Sequence, residues 1–159
     1  MKLTQNFELS EFEQSATATA HKIDNHVPKS LIPNIKNLCE QVLEPLRQHF
    51  NEPIVIGSGY RCPQLNALAG GVKYSQHLTG EAADIRIPVY DFVASDGTHH
   101  TNMEILNKWF IWIMDNCDFD QLIKETTNRK TYWIHVSCKR DRSQNRHSVI
   151  TFLLKGGGK

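Results

Sequence analysis

The sequence predicts an α+β domain in which a small, mainly antiparallel sheet is backed by two amphipathic helices. Three observations predict it. Leu31, Ile35, Leu38, Val42, Leu43 and Leu46 recur at helical spacing, as do Ile105, Leu106, Trp109 and Ile113, so each segment carries an apolar stripe that must be covered. Short β-branched runs at 53–56, 82–87 and 149–154 are bounded by turn residues. The runs 119–125 and 131–138 flank the polar stretch Thr126 to Lys130, which suits a hairpin.

Near the start, Phe7, Leu9 and Phe12 are interleaved with polar residues, and Ser10 reads as the cap of a short helix. Ser15 to Ala20 is small and of low complexity, a candidate loop or linker. Ser30 can cap the first long helix. Pro33 falls in its first turn, where a missing N–H costs little, and Pro45 is expected to kink or end it near Glu44. The strand at 54–56 stops at Gly57-Ser58-Gly59 and presents Arg61 at its end. Pro63 to Ala69 reads as a short helix closed by Gly70 and Gly71. Asp96 to His100 reads as a loop leading into a helix from Met103 to Asn116. Adjacent histidines diverge on any regular element, so His99 and His100 are not read as a ligand pair. The basic segment Lys139 to His147 precedes a final strand, and Lys155 to Lys159 reads as a flexible end. The whole is expected to form one domain over 1–159, with residues 1–25 an N-terminal extension packed on it or linked to it.

Composition excludes several functions. A chain of 159 residues with a formal net charge of +1 has room for a core and no electrostatic footprint for nucleic acid. The longest apolar run, Trp109 to Met114, is far too short to span a bilayer. The first residues lack the apolar region and cleavage site of a secretory signal, so the chain is expected in the cytoplasm until something else releases it. Cys39, Cys62, Cys117 and Cys138 show no metal-binding spacing and read as free thiols. A monomer is expected.

The chemistry concentrates in Tyr74 to Asp84 and in Tyr132 to Ser137. The first places the His77 imidazole in a polar turn and the Asp84 carboxylate on the strand that follows. The second holds His135 on a stiff run among Trp133, Ile134 and Val136. Two imidazoles and one carboxylate would leave a tetrahedral zinc with a fourth position open for water, which distinguishes a catalytic site from a closed structural one.

Ser-x-His-x-x-Gly-x-Ala-x-Asp at 75–84, with a distant Trp-x-His at 133–135, resembles the zinc D-alanyl-D-alanine carboxypeptidases and L-alanyl-D-glutamate endopeptidases of the LAS metallopeptidase group. The resemblance implies a hedgehog/DD-peptidase-like fold, peptidoglycan peptides as substrate, Zn²⁺ as cofactor, and His77, Asp84 and His135 as its ligands. It makes Gly80 and Ala82 the small residues that let the chain turn from the His loop into the Asp strand. It also gives Arg61, in Ser58-Gly59-Tyr60-Arg61, a place near the metal, where a guanidinium can hold a substrate carboxylate or an oxyanion. Ser75 is either a turn residue or a hydroxyl that contacts substrate. Phe7-Glu8-Leu9-Ser10-Glu11-Phe12 and Ser15 to Ala18 are similar to phage-associated members, which points to a lysin that leaves the cell with the help of a separate membrane-permeabilising protein.

The pattern breaks at the general base. Relatives carry an acidic residue three positions before the last His ligand, or a His two before it, where this chain has Tyr132 and Trp133. A phenol with a pKa near 10 does not deprotonate water at neutral pH. Glu125 is the expected replacement, because Asp120-Gln121-Leu122-Ile123-x-Glu125 is similar to the phage-type relatives and a hairpin can return its carboxylate to the metal; Asp120 is next. Without a base the same scaffold would be a zinc-stabilised binding module, as the hedgehog signalling domains largely are.

Overall fold

The computed structural model describes residues 1–88, 91–93 and 95–156, with 91–93 and 99–101 described by backbone alone. Seven strands are present among them: β1 (Val55–Ser58), β2 (Ala82–Arg86), β3 (Asp91–Val93), β4 (His99–Thr101), β5 (Gln121–Thr126), β6 (Tyr132–Ser137) and β7 (Ser148–Leu154). Five make one sheet in the order β1-β2-β6-β5-β7, antiparallel except for the parallel β5–β7 pair; β3 and β4 form a separate hairpin. The α+β class with a mainly antiparallel sheet is therefore as the sequence predicts. His99 and His100, expected in a loop, lie on β4; their side chains lie outside the described residues.

Alternation along the strands separates a core face from a site face. Ala83, Ile85, Leu122, Ile134 and Val136 turn inward and are fully buried. They join one core with Leu106, Trp109 and Ile113 of the helix Asn102–Asn116 and with Leu38, Val42 and Leu46 of the helical run before β1. Burying a large apolar side chain contributes roughly 1.5–3 kcal/mol, so these stripes account for much of the fold's stability. Phe7 and Phe12 are buried in the same core, and the Tyr60 N–H donates to the Phe12 carbonyl at 2.8 Å, which fixes the N-terminal segment beside the end of β1.

Four local expectations are corrected. Pro45 does not end its helix, which continues as Glu44–Phe50 to a left-handed Asn51 at φ 50°. A π-helical turn at Cys39–Leu43 precedes it, and the Glu44 N–H reaches back to the Cys39 carbonyl. That shift of hydrogen-bond register accommodates the missing proline donor. Ser30 caps nothing, lying inside a 3-10 turn at Lys29–Leu31. Ser10 lies within the helix Leu9–Glu13, whose start is closed by the Glu11 side chain accepting from the Glu8 N–H at 2.8 Å. Ser15 to Ala20, read as a loop or linker, holds a helix at Ala16–Ala20 whose first turn is capped by the Ser15 hydroxyl.

At the other end, Lys155 donates its N–H to the Thr126 carbonyl at 2.8 Å and its ammonium lies 3.6 Å from Glu125 Oε2. Residues 157–159 of the expected flexible end lie outside the described residues. All four cysteines are free.

Candidate metal centre

Strand register brings two of the expected ligands together. Asp84 of β2 and His135 of β6 are directly opposed, on the face turned away from the core. Directly opposed side chains on one face are close enough to interact. His135 Nδ1 lies 3.0 Å from Asp84 Oδ1. The third residue arrives from the loop that feeds β2, where His77 Nε2 lies 3.3 Å from the same carboxylate oxygen. The two rings stand 5.2 Å apart at 64°.

The His77 tautomer follows from its other nitrogen. Nδ1 lies 2.7 Å from the Gly59 carbonyl, an acceptor only, so Nδ1 carries a proton and donates it there, which turns Nε2 toward Asp84. The loop is held by its own bonds as well. Gly80 adopts φ +74°, and a Cβ there would stand 2.9 Å from Ile35 Cγ1, so both conformation and space require glycine, as expected for the turn into the Asp strand.

Both imidazoles and the carboxylate are largely withdrawn from solvent. Burial works against ionisation of Asp84, and the facing His77 and His135 imidazoles more than offset it, holding the carboxyl well below the usual carboxylate range. One donor atom from each of the three residues lies within 4.8 Å of the others. Two imidazole nitrogens and one carboxylate oxygen, so clustered, form a donor set that suits one divalent metal ion.

Arg61 backs the centre. Its Nη2 lies 3.4 Å from Asp84 Oδ2, its Nε donates to Ser58 Oγ at 2.9 Å, and its backbone N–H donates to the His77 carbonyl at 3.1 Å. The resemblance implies a place for Arg61 near the metal; in the structure its guanidinium engages the Asp84 carboxylate. The Ser75 hydroxyl accepts the His77 N–H at 3.3 Å, closing a local turn, and also lines the cleft.

That cleft has a volume of about 640 Å³ and runs from His77 and His135 across the sheet toward β7, with Ile123 and Leu153 on its floor. Glu125 lines it and is buried, opposed to Trp133 rather than to His135, whose partner is Ile123. The Trp133 indole N–H donates to Glu125 Oε2 at 3.0 Å. Burial and the nearby Asp84 charge raise the Glu125 carboxyl above its ordinary value, while His135, Lys155 and the indole bond work against that rise. Asp120, the second candidate base, is committed elsewhere. Oδ1 accepts from the Arg146 N–H and Nε at 2.9 Å, and Oδ2 from Arg146 Nη2 at 2.8 Å and Gln76 Nε2 at 2.9 Å. It anchors the loop that carries His77.

A family model described as Peptidase M15 matches residues 5–105, more than half of the chain. The chain belongs to the Peptidase M15 family. No curated protein matches it. The matched segment carries Arg61, His77 and Asp84, and the rest of this M15 chain contributes Glu125 and His135. Among the described residues, no helix is long and apolar enough to cross a membrane. Two contributors escaped the sequence reading. Trp133 enters the sequence reading as part of the stiff run around His135 and of the Trp-x-His motif, and nothing in that pattern announces it as a donor to Glu125. Lys155 was assigned to a tail, although it directly follows the last apolar residue of β7.

Proposed function

We propose that this M15 chain is a zinc metallopeptidase that hydrolyses peptide bonds in the peptide part of peptidoglycan, as a monomeric cell-wall lysin of phage or prophage type. The observation that carries the reading is the convergence of His77 Nε2, Asp84 Oδ1 and His135 Nδ1 at the end of a cleft that also holds a buried carboxylate. Two donors about 2.0–2.1 Å from one tetrahedral zinc stand roughly 3.3 Å apart, and the 3.3 and 3.0 Å separations found here suit that ion. Zinc in such a site supplies Lewis-acid polarisation of the scissile carbonyl and acidifies a water.

The chain's own residues do the rest. Glu125 accepts the proton of the attacking water and returns it to the leaving amine, and its raised pKa favours both halves of that transfer. Arg61 holds Asp84 with one edge of its guanidinium and lines the cleft, where its remaining N–H groups are donors for the developing oxyanion. Ser75 offers its hydroxyl to the substrate backbone. The peptidoglycan assignment is supported by the likeness of the 75–84 and 133–135 motifs to wall-acting peptidases, and the peptidase assignment by family membership.

Mass spectrometry of peptidoglycan digested with zinc-loaded protein, with and without chelator, tests the reading. New ends at a D-Ala or an L-Ala-D-Glu linkage, lost with chelator, are expected. A protein that holds one zinc per chain and cuts nothing would be a zinc-stabilised binding module instead.

A further inference from the structure

The segment between the helix Pro63–Leu68 and His77 is pinned to the body of the domain, yet it carries apolar side chains out into solvent. The buried Asn66 does the pinning. Its carbonyl accepts the Gly71 N–H at 2.9 Å, and its Nδ2 donates to the Val72 carbonyl at 2.9 Å. A Cβ at Gly71 would collide with the Asn66 carboxamide, so glycine alone lets the two approach this closely. The Ser75 N–H then donates to the Val72 carbonyl at 3.1 Å, closing a turn around Lys73 and Tyr74.

On that fixed turn Tyr74 is 86% exposed and Val72 is 72% exposed, and both line the cleft. A ring so exposed adds nothing to the core, and apolar surface at the mouth of a cleft marks a place for a ligand. The Lys73 ammonium, 5.5 Å from the ring centroid, covers at most one of its two faces. The rest of the lining has a different character. Arg61, Lys139, Arg146 and Lys155 enter it as cations, each engaged with a carboxylate. Charged and small groups suit a stem peptide, which is built from alanines, glutamate and a diamino acid and brings no aromatic side chain to meet Tyr74. Peptidoglycan does bring a pyranose ring, apolar on its C–H face and polar at its edge. A phenol, with an apolar ring and a hydrogen-bonding tip, matches both.

We infer that Tyr74 is a stacking platform for the sugar that carries the stem peptide, with Val72 beside it. This inference rests on the peptidoglycan reading of the cleft and extends it from the peptide to the glycan. Tyr74 precedes His77 by three positions, a backbone reach of at most about 11 Å. The sugar-proximal end of the peptide therefore enters from this loop, and the remainder runs across the sheet toward β7.

The test compares one stem peptide in two forms, joined through its lactyl amide to N-acetylmuramic acid or capped by a plain acetyl group. With zinc-loaded protein, the sugar-bearing form is expected to be cut roughly tenfold more efficiently, through KM, the gain that one aromatic stack supplies. Tyr74→Ala should erase that ratio and Tyr74→Phe should keep most of it; the position is exposed, so both variants should fold. In parallel, zinc-loaded protein is titrated by NMR with the disaccharide of N-acetylglucosamine and N-acetylmuramic acid, which carries no peptide to cut. Its ring protons are expected to shift upfield with wild type and with Tyr74→Phe, and to stay in place with Tyr74→Ala. Equal cleavage of the two forms, or a ratio unchanged in Tyr74→Ala, would overturn the platform and leave the peptidase standing. Tyr74-dependent binding of the disaccharide without cleavage of either peptide would do the reverse. Neither binding nor cleavage would remove both.

Discussion

Trp133 and Glu125 are opposed across β5 and β6, and the indole N–H holds one oxygen of the carboxylate at 3.0 Å. Lys155 approaches the same oxygen, Oε2, at 3.6 Å. Both partners thus fix the carboxylate through Oε2, and among the described residues no bond to Oε1 competes with its taking a proton. Replacing Glu125 by Gln is expected to lower kcat about a hundredfold or more. Trp133→Phe, which keeps the ring and removes the N–H, is expected to lower kcat several-fold with little change in KM, read by steady-state kinetics on muropeptides. A base works ionised, so activity should fall as pH drops through a Glu125 pKa raised above the ordinary carboxylate value. Loss of the indole donor should move that acid limb further up.

The proposed zinc site makes metal retention depend on three donors. His77→Ala and His135→Ala are each expected to abolish stoichiometric zinc in metal analysis of purified protein, because each removes one of three protein ligands. Wild type should show a higher Tm with zinc than with chelator, since an ion that binds the folded chain stabilises it by mass action. Stoichiometric zinc in either variant would remove the assignment.

Asp120 predicts a pH dependence of stability. Burial opposes its ionisation, and the Arg146 and Gln76 hydrogen bonds outweigh burial, holding its carboxyl at about 2. A carboxyl depressed in the folded state contributes stability that is present above its unfolded value near 4 and is lost as pH falls from there through about 2. The contribution is about 2 kcal/mol, and Asp120→Asn should remove that portion of the acid transition in denaturant titrations at several pH values.

Gly80→Ala places a Cβ on a left-handed backbone and against Ile35. The conformation alone costs roughly 1–2 kcal/mol, and the contact adds to it. Chemical denaturation should show that loss, and zinc affinity should fall with it, because the turn carries His77 into register with Asp84.

Much of this was legible in the sequence because the signals were local and periodic. The helical stripes and the 119–138 hairpin follow from spacing over a few residues, while the glycine turn before Asp84 came with the motif likeness. The approach of His77, Asp84 and His135 came from motif likeness, since no periodicity sets the β2–β6 register. What escaped was non-local. The passage of the helix through Pro45 depends on a π-helical turn that no single residue announces. The partners of Glu125 and Asp120 come from other strands and from the segment before β7, so their roles follow from register. Lys155 looked like a tail because glycines follow it, although β7 runs parallel to β5 and delivers it to Glu125.

Because β2 lies between β1 and β6, a single ion at the centre would rivet the first half of the chain to the second. Neither half owns a complete coordination set: a fragment ending at residue 105 carries His77 and Asp84, and the remainder carries His135 alone. Zinc uptake by two separately produced fragments would therefore be an assay of their correct docking, a built-in complementation reporter that needs no substrate.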